Sequence, residues 1–421
     1  MSQLVINSLT NKIPLLFAPI SGANTVTILI MVKTGSKYES RNLNGLSHFI
    51  EHMLFKGTKK LSTALDISSA LDSLGSEYNA FTAKEYTGYW IKVAKAKSNS
   101  ALEIIADMLL NSKFLSTEIN RERGVIIEEL NMYQNNPMMY IEDVFEECLY
   151  GDTPAGWDTI GTKDNILSFS RQDFLNYYQQ QYGTQSFFIV LAGAVDDKNI
   201  RQVQRLFSKT RVNNWQDKVK VLEKQTSPQI KIVNKKVDQI NLSLGVRAYP
   251  AGHPHEYVAK LLAIILGGSM SSRLFVNLRE KHGLAYYVRT NSEAYTDTGY
   301  LTTQAGVPIN KSQEAVKIIM TEYRRLKNSK ISATELKRTK EMWKGRFLLR
   351  LETSDELANW YGRQLILQSK IISPSEFLKR IDRITALELQ ETARHIFKDE
   401  SLNLALIGQT KASDYKSLLK F

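Results

Sequence analysis

Apolar and polar positions recur along this chain with a long period. Residues 170–193 and residues 385–408 each begin with a helix-capping pattern, continue as an amphipathic helix, and end in a short apolar strand before a glycine. The two glycines, Gly193 and Gly408, lie 215 positions apart (408 − 193 = 215). Matching helix–strand segments at one spacing predict that the chain is built from two similar halves.

Two further pairs of segments support this repeat. The alternating strand pattern at 25–35 has a counterpart at 240–250, again 215 positions later (240 − 25 = 215). The segment "TEINR" at 117–121 matches "TELKR" at 334–338, with an offset of 217 (334 − 117 = 217). Both spacings predict the same internal repeat of supersecondary units.

The order of elements within each half predicts the fold class. Strands that are adjacent in sequence favour antiparallel pairing, and the helices are expected to layer on one face of the sheet, so each domain is predicted to be α+β. The polar stretch 213–229 lacks a buried pattern and is predicted to link a first domain, 1–212, to a second, 230–421. In the first half, the predicted strands are 3–7, 12–18, 25–34 and 78–92, and the predicted helices are 43–56, 62–74, 98–111, 117–135 and 138–149.

Length and composition limit the classes of protein. At 421 residues the chain is longer than one typical core, which agrees with two domains. A single cysteine, Cys148, excludes an internal disulfide and any metal site built from several thiolates. The N-terminal residues lack the pattern of a signal peptide, and no segment reaches the roughly 18 apolar residues of a membrane helix. We therefore expect a cytoplasmic protein with no membrane partner.

The formal net charge of +12 requires that a nucleic-acid partner be considered. Lysine and arginine residues are dispersed along the chain, and many segments mix both signs of charge. The sequence contains no RNA-stacking motif and no basic helix. We therefore expect a solvated basic surface and no nucleic-acid partner.

Two of the six histidines lie in one short segment, "GLSHFIEHMLFKGT" at 45–58. On a helix, His48, Glu51 and His52 occupy one face because residues three and four apart are neighbours. Two imidazoles one turn apart can bind one zinc ion, and the carboxylate between them can accept a proton from water, as in the inverted zinc motif H-x-x-E-H. Apolar residues surround the motif, which favours ligands held in a dry site over a solvated helix face.

A catalytic zinc site of this kind needs a third protein ligand and keeps one position open for water. Because several thiolates are excluded, the third ligand is expected to be a carboxylate or another histidine. The helical segment 121–133 offers Glu122 and Glu129, which lie on one face two turns apart. One of them could bind the metal while the other accepts an imidazole N–H. Glu128 is a rival ligand, and the spacing does not choose between the neighbours.

The motif and its surroundings resemble a known family. The segment "HFIEHMLFKGT" and the later "ERGVIIEEL" are similar to the insulinase/pitrilysin family of inverzincin peptidases, most closely to its small bacterial, mitochondrial-processing-peptidase-like branch. The likeness runs nearly end to end and includes residues 75–90 and 267–288. The resemblance implies a zinc endopeptidase that hydrolyses peptide substrates, with Zn2+ as its cofactor.

The resemblance also implies a role for each residue of the site. His48, His52 and Glu129 match the family's zinc ligands, which settles the choice among the candidate carboxylates. Glu51 matches the general base. Glu122 matches the carboxylate that supports a metal-binding imidazole.

In this family only the first of two similar domains binds metal, and the second half of the chain agrees with that pattern. Ala263, Leu266 and Gly267 stand at the 215 offset from the H-x-x-E-H residues, and Arg346 stands at the 217 offset from Glu129. None of these replacements can bind zinc in the required way. The second domain is therefore expected to be metal-free and to close the substrate chamber.

The resemblance assigns two further sets of residues. Arg279 and Tyr286, within "LREKHGLAY", match an arginine that holds a substrate carbonyl and a tyrosine that donates to the developing oxyanion. Asn79, Ala80 and Phe81 match a strand edge to which an extended peptide adds as an extra strand.

Alternatives to a peptidase remain. One is a catalytically silent partner or scaffold subunit of a peptidase complex, since the family contains degenerate members. A less favoured one is a basic nucleic-acid-binding protein with a structural zinc. The intact motif favours the enzyme, and the small members of the family commonly pair, so a homodimer is expected.

Overall fold

The computed structural model of the chain describes residues 4–368 and 370–421. These residues form two compact units, each assembled from three stretches of the chain. Unit 1 contains the described residues up to Asn131, together with Asp158–Val219 and Leu348–Ile371. Unit 2 contains Met132–Trp157, Lys220–Phe347 and Ile372–Phe421.

Unit 1 is built on a six-stranded sheet. Its strands are β1 (Val5–Ser8), β2 (Pro14–Pro19), β3 (Thr25–Val32), β4 (Glu77–Thr82), β5 (Thr87–Ala94) and β6 (Phe187–Gly193). They lie in the order β1-β2-β6-β3-β5-β4, which leaves β4 at one edge.

Unit 2 is built on a five-stranded sheet that repeats the first sheet without β1. Its strands are β7 (Gln229–Val233), β8 (Gln239–Arg247), β9 (Val288–Ala294), β10 (Gly299–Pro308) and β11 (Leu402–Ile407). The order β7-β11-β8-β10-β9 matches β2-β6-β3-β5-β4 strand for strand, with the same relative directions.

Helices surround both sheets. The helices that begin before residue 220 are α1 (Leu46–Met53), α2 (Ala64–Ser73), α3 (Ser98–Asn111), α4 (Ser116–Asn135), α5 (Pro137–Tyr150), α6 (Lys163–Ser168), α7 (Arg171–Gln181) and α8 (Asp197–Phe207). Those that follow are α9 (Glu256–Gly267), α10 (Ser312–Asn328), α11 (Ala333–Arg350), α12 (Ser354–Leu367), α13 (Pro374–Arg383), α14 (Ala386–Ile396) and α15 (Ser413–Lys416), together with a π-helical segment at Phe275–Lys281. Within the described ranges, every helix is too short or too polar to cross a bilayer.

The capping patterns that revealed the repeat do begin helices. The Ser170 hydroxyl accepts from the Asp173 backbone N–H, and the Asp173 carboxylate accepts from the Ser170 N–H, at the start of α7. Thr385 and Glu388 make the same reciprocal pair at the start of α14. These bonds satisfy N–H groups that a helix terminus otherwise leaves unpaired. The predicted repeat of α+β units is confirmed.

Each sheet differs from the expected antiparallel sheet in one pair of strands. β2 pairs in parallel with β6, and β7 pairs in parallel with β11, while the other neighbours are antiparallel. Parallel neighbours need a long crossover, and each of these pairs is separated in sequence by most of a repeat. Adjacency in sequence therefore predicts the hairpin pairs well and cannot predict these two.

The two halves exchange one helix each, which sequence order does not predict. α5 belongs to unit 2 and packs on β11 and β8, whereas its repeat counterpart α12 belongs to unit 1 and packs on β3 and β6. The predicted domains, 1–212 and 230–421, are continuous, so each contains the helix that covers the other sheet and lacks the helix that covers its own. Because α12 covers the second face of the unit 1 sheet, the expectation of helices on one face is also incomplete.

Helix α12 sits close to the central strand of unit 1. The hydroxyl oxygens of Ser354 and Thr27 lie 2.7 Å apart in the buried contact between α12 and β3. At Gly362, an added Cβ would lie 3.0 Å from Leu29 Cδ2 and 3.2 Å from Met31 Cγ. The missing side chain thus lets the helix approach the apolar surface of β3.

A larger residue at Gly362 should destabilise unit 1. We expect Gly362→Leu to lower the free energy of unfolding by about 1–3 kcal/mol, because the core has no room for four more carbon atoms. Gly345→Leu in α11 is the matched control, since a Cβ there meets no atom within 4 Å. Thermal unfolding of both variants measures the difference, and equal midpoints would contradict the tight packing of α12.

Candidate metal centre

A buried carboxylate fixes the start of α1, the helix that carries the H-x-x-E-H motif. Glu39 accepts from the backbone N–H groups of Gly45 and Ser47, at 2.8 and 2.6 Å. Burial raises the pKa of Glu39 to about 7, although these hydrogen bonds oppose the shift. Gly45 has φ 101°, and an added Cβ there would lie 2.3 Å from the carbonyl oxygen of Ile160. The sequence did not reveal Glu39, because it lies six residues before the helix cap and outside any capping box.

The structure brings together His48 and His52 of α1 with Glu129 of α4. One ligand atom from each residue lies within 4.8 Å of the other two. Nε2 of His48 is 3.6 Å from Oε1 of Glu129, and Nε2 of His52 is 3.4 Å from Oε2. The imidazoles of His48 and His52 beside it hold the pKa of Glu129 well below its usual range.

Glu122 lies on the same face of α4 as Glu129 and orients His52. Its Oε1 lies 2.9 Å from Nδ1 of His52, and its other oxygen is 2.6 Å from Nζ of Lys56. Burial lowers the pKa of His52, but hydrogen bonds with the two glutamates outweigh it and raise the pKa to about 9. With Nδ1 engaged by Glu122, Nε2 is the nitrogen left to face a metal ion.

His48 is the most enclosed member of the cluster. It is 7% exposed, and its Nδ1 has no hydrogen-bond partner within the described part of the chain. Its ring lies edge-on to that of His52, with centroids 4.7 Å apart. A buried nitrogen without a hydrogen-bond partner is unfavourable, and such exceptions occur at functional sites.

The geometry and chemistry of these donors fit a zinc ion. Tetrahedral zinc with bonds of about 2.0–2.2 Å requires neighbouring ligand atoms about 3.3–3.6 Å apart. The two histidine–glutamate separations, 3.6 Å to Oε1 and 3.4 Å to Oε2, fall in this range, and one ligand atom from each of the three residues lies within 4.8 Å of the others. Two imidazoles and one carboxylate form the donor set of a catalytic site, which leaves a position for water or substrate. Glu128, the rival carboxylate, is exposed and lies outside the cluster.

Glu51 lies between the two histidines and is held by a strand. Its Oε2 accepts from the Thr82 hydroxyl, at 2.6 Å, where β4 ends. Burial raises the pKa of Glu51, while the nearby His48 opposes the shift. A carboxylate with a raised pKa, held beside the metal ligands, can take up and return a proton. The role of Thr82 could not be predicted from a local pattern, since its contact with Glu51 spans 31 positions (82 − 51 = 31).

The predicted substrate residues lie on β4, which pairs with β5 and has no second neighbour among the described strands. Asn79 Oδ1 accepts from the backbone N–H of Ala80 at 2.8 Å. The Phe81 ring covers Gly88 of β5, where an added Cβ would lie 2.2 Å from the ring. Because side chains alternate along a strand, Phe81 faces away from the side on which Thr82 reaches Glu51. An exposed edge offers backbone groups to an extended segment.

Arg279 and Tyr286 belong to unit 2, where they lie beside each other. Nη1 of Arg279 donates to the backbone oxygen of Tyr286 at 2.9 Å, and the guanidinium carbon is 5.5 Å from the tyrosine ring centroid. The Tyr286 side chain is 81% exposed. The arginine therefore supports the segment that presents the phenol to solvent.

The positions in unit 2 that correspond to the metal ligands serve packing and hydrogen bonding within that unit. At Gly267, an added Cβ would lie 2.4 Å from Thr290 Oγ1 and 2.6 Å from the Thr290 backbone nitrogen. Arg346 donates to the carbonyl oxygen of Gly268 at 2.7 Å. Among the described residues, the unit 1 cluster is the only group of three His, Cys, Asp or Glu side chains close enough to hold a metal ion.

A repeated α+β unit with an H-x-x-E-H helix in its first copy defines an inverzincin-type site. Comparison with known families agrees with this class. A model described as "Insulinase (Peptidase family M16)" matches residues 18–163, and one described as "Peptidase M16 inactive domain" matches residues 168–342. The chain belongs to the insulinase family.

Individual relatives extend over almost the whole chain. An uncharacterized zinc protease of Bacillus subtilis, YmxG, is 34% identical over 91% of this chain and 93% of its own. An uncharacterized zinc protease of Rickettsia bellii is 32% identical over 97% and 98%. The crystal structure of a protease from Helicobacter pylori has a TM-score of 0.90 and 23% identity, covering 96% of this chain and 99% of that one. At 23% identity, this last likeness shows a shared fold and nothing further.

Neutralising Glu129 should abolish metal binding. We expect Glu129→Gln to lose most of its zinc after dialysis, because an amide is a much weaker ligand than a carboxylate. Glu122→Gln should bind about 10- to 100-fold more weakly, since it loses only the support of His52. Elemental analysis and competition with a chelator measure both effects. Glu128→Gln is the control on the same helix, and zinc loss there with retention in Glu129→Gln would contradict the assignment.

Proposed function

We propose that this protein is a zinc-dependent endopeptidase that hydrolyses peptide bonds in unfolded peptides or extended segments. The observation that carries the proposal is the cluster of His48, His52 and Glu129 with Glu51 held beside it. These residues include every protein group that a water-activating metal site needs. Relatives that are named as zinc proteases also support a peptidase.

The division of roles follows from the contacts of each side chain. A zinc ion bound by His48, His52 and Glu129 supplies Lewis acidity and lowers the pKa of water toward neutrality. Glu51 accepts the proton of the attacking water and passes it to the leaving amine nitrogen. Glu122 keeps His52 in the tautomer whose Nε2 is free for the ion.

The open edge of β4 supports a mode of substrate binding. An extended segment can pair with the backbone groups at the outer edge of β4, around Asn79 and Ala80, if it replaces the Asn79 side chain as the partner of the Ala80 N–H, and it can do so without regard to most of its own side chains. Such pairing requires a segment that is not already folded. We therefore propose substrates selected by backbone conformation, either small peptides or extended regions of longer chains.

Arg279 and Tyr286 are proposed to assist the reaction from unit 2. The exposed phenol is suited to donate to the oxyanion that forms on the scissile carbonyl, and Arg279 to hold a substrate carbonyl. The homodimer inferred from the family resemblance also stays a proposal.

A catalytically silent subunit is the second candidate function. Its support is the family itself, since a solved structure from Pseudomonas fluorescens with a TM-score of 0.89 and 16% identity is titled as a peptidase M16 inactive domain. Against it stands the complete set of His48, Glu51, His52 and Glu129 in unit 1. A silent subunit has no need to keep a half-buried proton acceptor next to three metal ligands.

Replacing the proton acceptor tests the proposal directly. We expect Glu51→Gln to lower kcat by about 100-fold or more while its zinc content stays that of the wild type, because only proton transfer is lost. The measurement is digestion of a mixed peptide library, with cleavage sites identified by mass spectrometry and with a chelator as a second arm. Glu128→Gln is expected to cleave normally. A zinc-loaded wild type that leaves the library intact would favour the silent subunit.

Removing one hydroxyl tests the role of unit 2. We expect Tyr286→Phe to lower kcat by about 100-fold, as the loss of an oxyanion donor does in other hydrolases, with little change in KM. The neighbouring Tyr287→Phe is the control, because the Tyr287 hydroxyl bonds to Asn241 inside unit 2, at 2.8 Å. Equal kcat values for the two variants would exclude Tyr286 from the reaction.

A further inference from the structure

Thr82 makes the one hydrogen bond from a described side chain to the Glu51 carboxylate that the structure shows. Its hydroxyl is 2.6 Å from Oε2, a distance typical of a hydroxyl that donates to an ionised acceptor. Among the described side chains, the structure shows a hydrogen bond to Oε2 and none to Oε1, so Oε1 is the oxygen that is more open to another proton. Thr82 therefore selects which carboxylate oxygen of Glu51 can react.

The backbone places Thr82 firmly. It is the last residue of β4 and pairs across the sheet with Thr87 at the start of β5. The backbone N–H of Ala83 donates to the carbonyl of Tyr86 at 2.8 Å, which closes the turn between the two strands. On the other side of the turn, the Thr87 hydroxyl donates to the carbonyl of Thr34 at 3.0 Å. Hydrogen bonds on both sides therefore fix the end of β4.

A buried ion pair also holds the turn between β4 and β5 in place. Nζ of Lys37 lies 2.7 Å from Oε1 of Glu85, and the side chains are 0% and 1% exposed. The backbone N–H of Lys37 also donates to the carbonyl of Lys84 at 2.8 Å. Separating two such charges in an apolar interior is very unfavourable, so this pair resists movement of the turn.

We propose that Thr82 is a positioning residue, which holds Glu51 by one carboxylate oxygen so that the other is aimed for proton transfer. The inference rests on the proposed peptidase function. A glutamate side chain has three rotatable bonds, and a free carboxylate would sample several orientations beside the metal ligands. Fixing it in advance removes that cost from the reaction itself, because an aligned acceptor need not be ordered at the transition state.

The neighbours of Thr82 show why its role differs from that of the predicted substrate residues. Phe81 packs over Gly88 on the opposite face of β4, and Asn79 bonds to the backbone of its own strand. Substrate pairing along this edge would use backbone groups, which a change of the Thr82 side chain leaves in place. The hydroxyl can therefore be removed without removing the strand edge.

Two substitutions test the proposal with the full-length, zinc-loaded protein. Thr82→Val keeps the shape and strand preference of threonine but has no hydroxyl, whereas Thr82→Ser keeps the hydroxyl and loses a methyl group. We expect Thr82→Val to lower kcat by about 10- to 100-fold, which corresponds to the loss of a hydrogen bond to a charged group. KM and zinc content should stay near the wild-type values, and Thr82→Ser should restore most of the activity. The measurements are steady-state kinetics on one cleaved peptide, with elemental analysis and circular dichroism of each variant.

The outcomes separate the positioning role of Thr82 from the proposed peptidase activity. A valine variant with wild-type kcat would overturn the positioning role and leave the peptidase intact. Equal losses in the valine and serine variants, or loss of zinc or folded structure in the valine variant, would also overturn it, because the effect would then be one of packing. A zinc-loaded wild type without cleavage would refute the peptidase itself, and with it any catalytic role of Thr82.

Discussion

The site depends on the convergence of three acceptor atoms, two imidazole nitrogens and a carboxylate, on one small volume. Glu129 lies 3.6 Å from the Nε2 of His48 and 3.4 Å from the Nε2 of His52, and acceptor atoms this close repel each other unless a proton or a cation lies between them. The raised pKa of His52, about 9, and the lowered pKa of Glu129 express that requirement for a proton. A zinc ion meets the same requirement and competes with that proton, so its binding is coupled to proton release. The side chains around the cluster hold its members in place, and Glu122, which bonds to His52, is the most direct of them.

Local patterns predicted much of this molecule. The repeat follows from matching segments 215 positions apart, while the capped helices α7 and α14 and the helix that carries the zinc motif follow from short-range patterns. Spacing alone left Glu122, Glu128 and Glu129 open, and the resemblance was needed to choose among them. Glu39 and Thr82 were missed because each acts through tertiary contacts that leave no periodic trace.

Unit 2 shows that losing a metal site can involve more than losing its ligands. Gly267 stands where the first repeat has its second histidine, and there α9 lies so close to β9 that a methyl group would collide with Thr290. In unit 1 the corresponding helix and strand, α1 and β4, leave room for imidazole, carboxylate and hydroxyl groups between them. A histidine at position 267 would therefore need a shift of the whole helix. The change in this unit is one of backbone spacing as well as of side-chain chemistry.

The exchanged helices bear on how such a chain can be divided. A fragment that ends in the 213–229 segment would carry α5, which has no sheet of its own to cover, and would lack α12. Leu29 and Met31, fully buried beneath α12, would then meet water on the central strand of unit 1. Exposed apolar strands invite association with other chains. Fragments made by dividing the chain in the 213–229 segment would thus tend to aggregate. A division that suits the fold would keep each helix with the sheet that it covers.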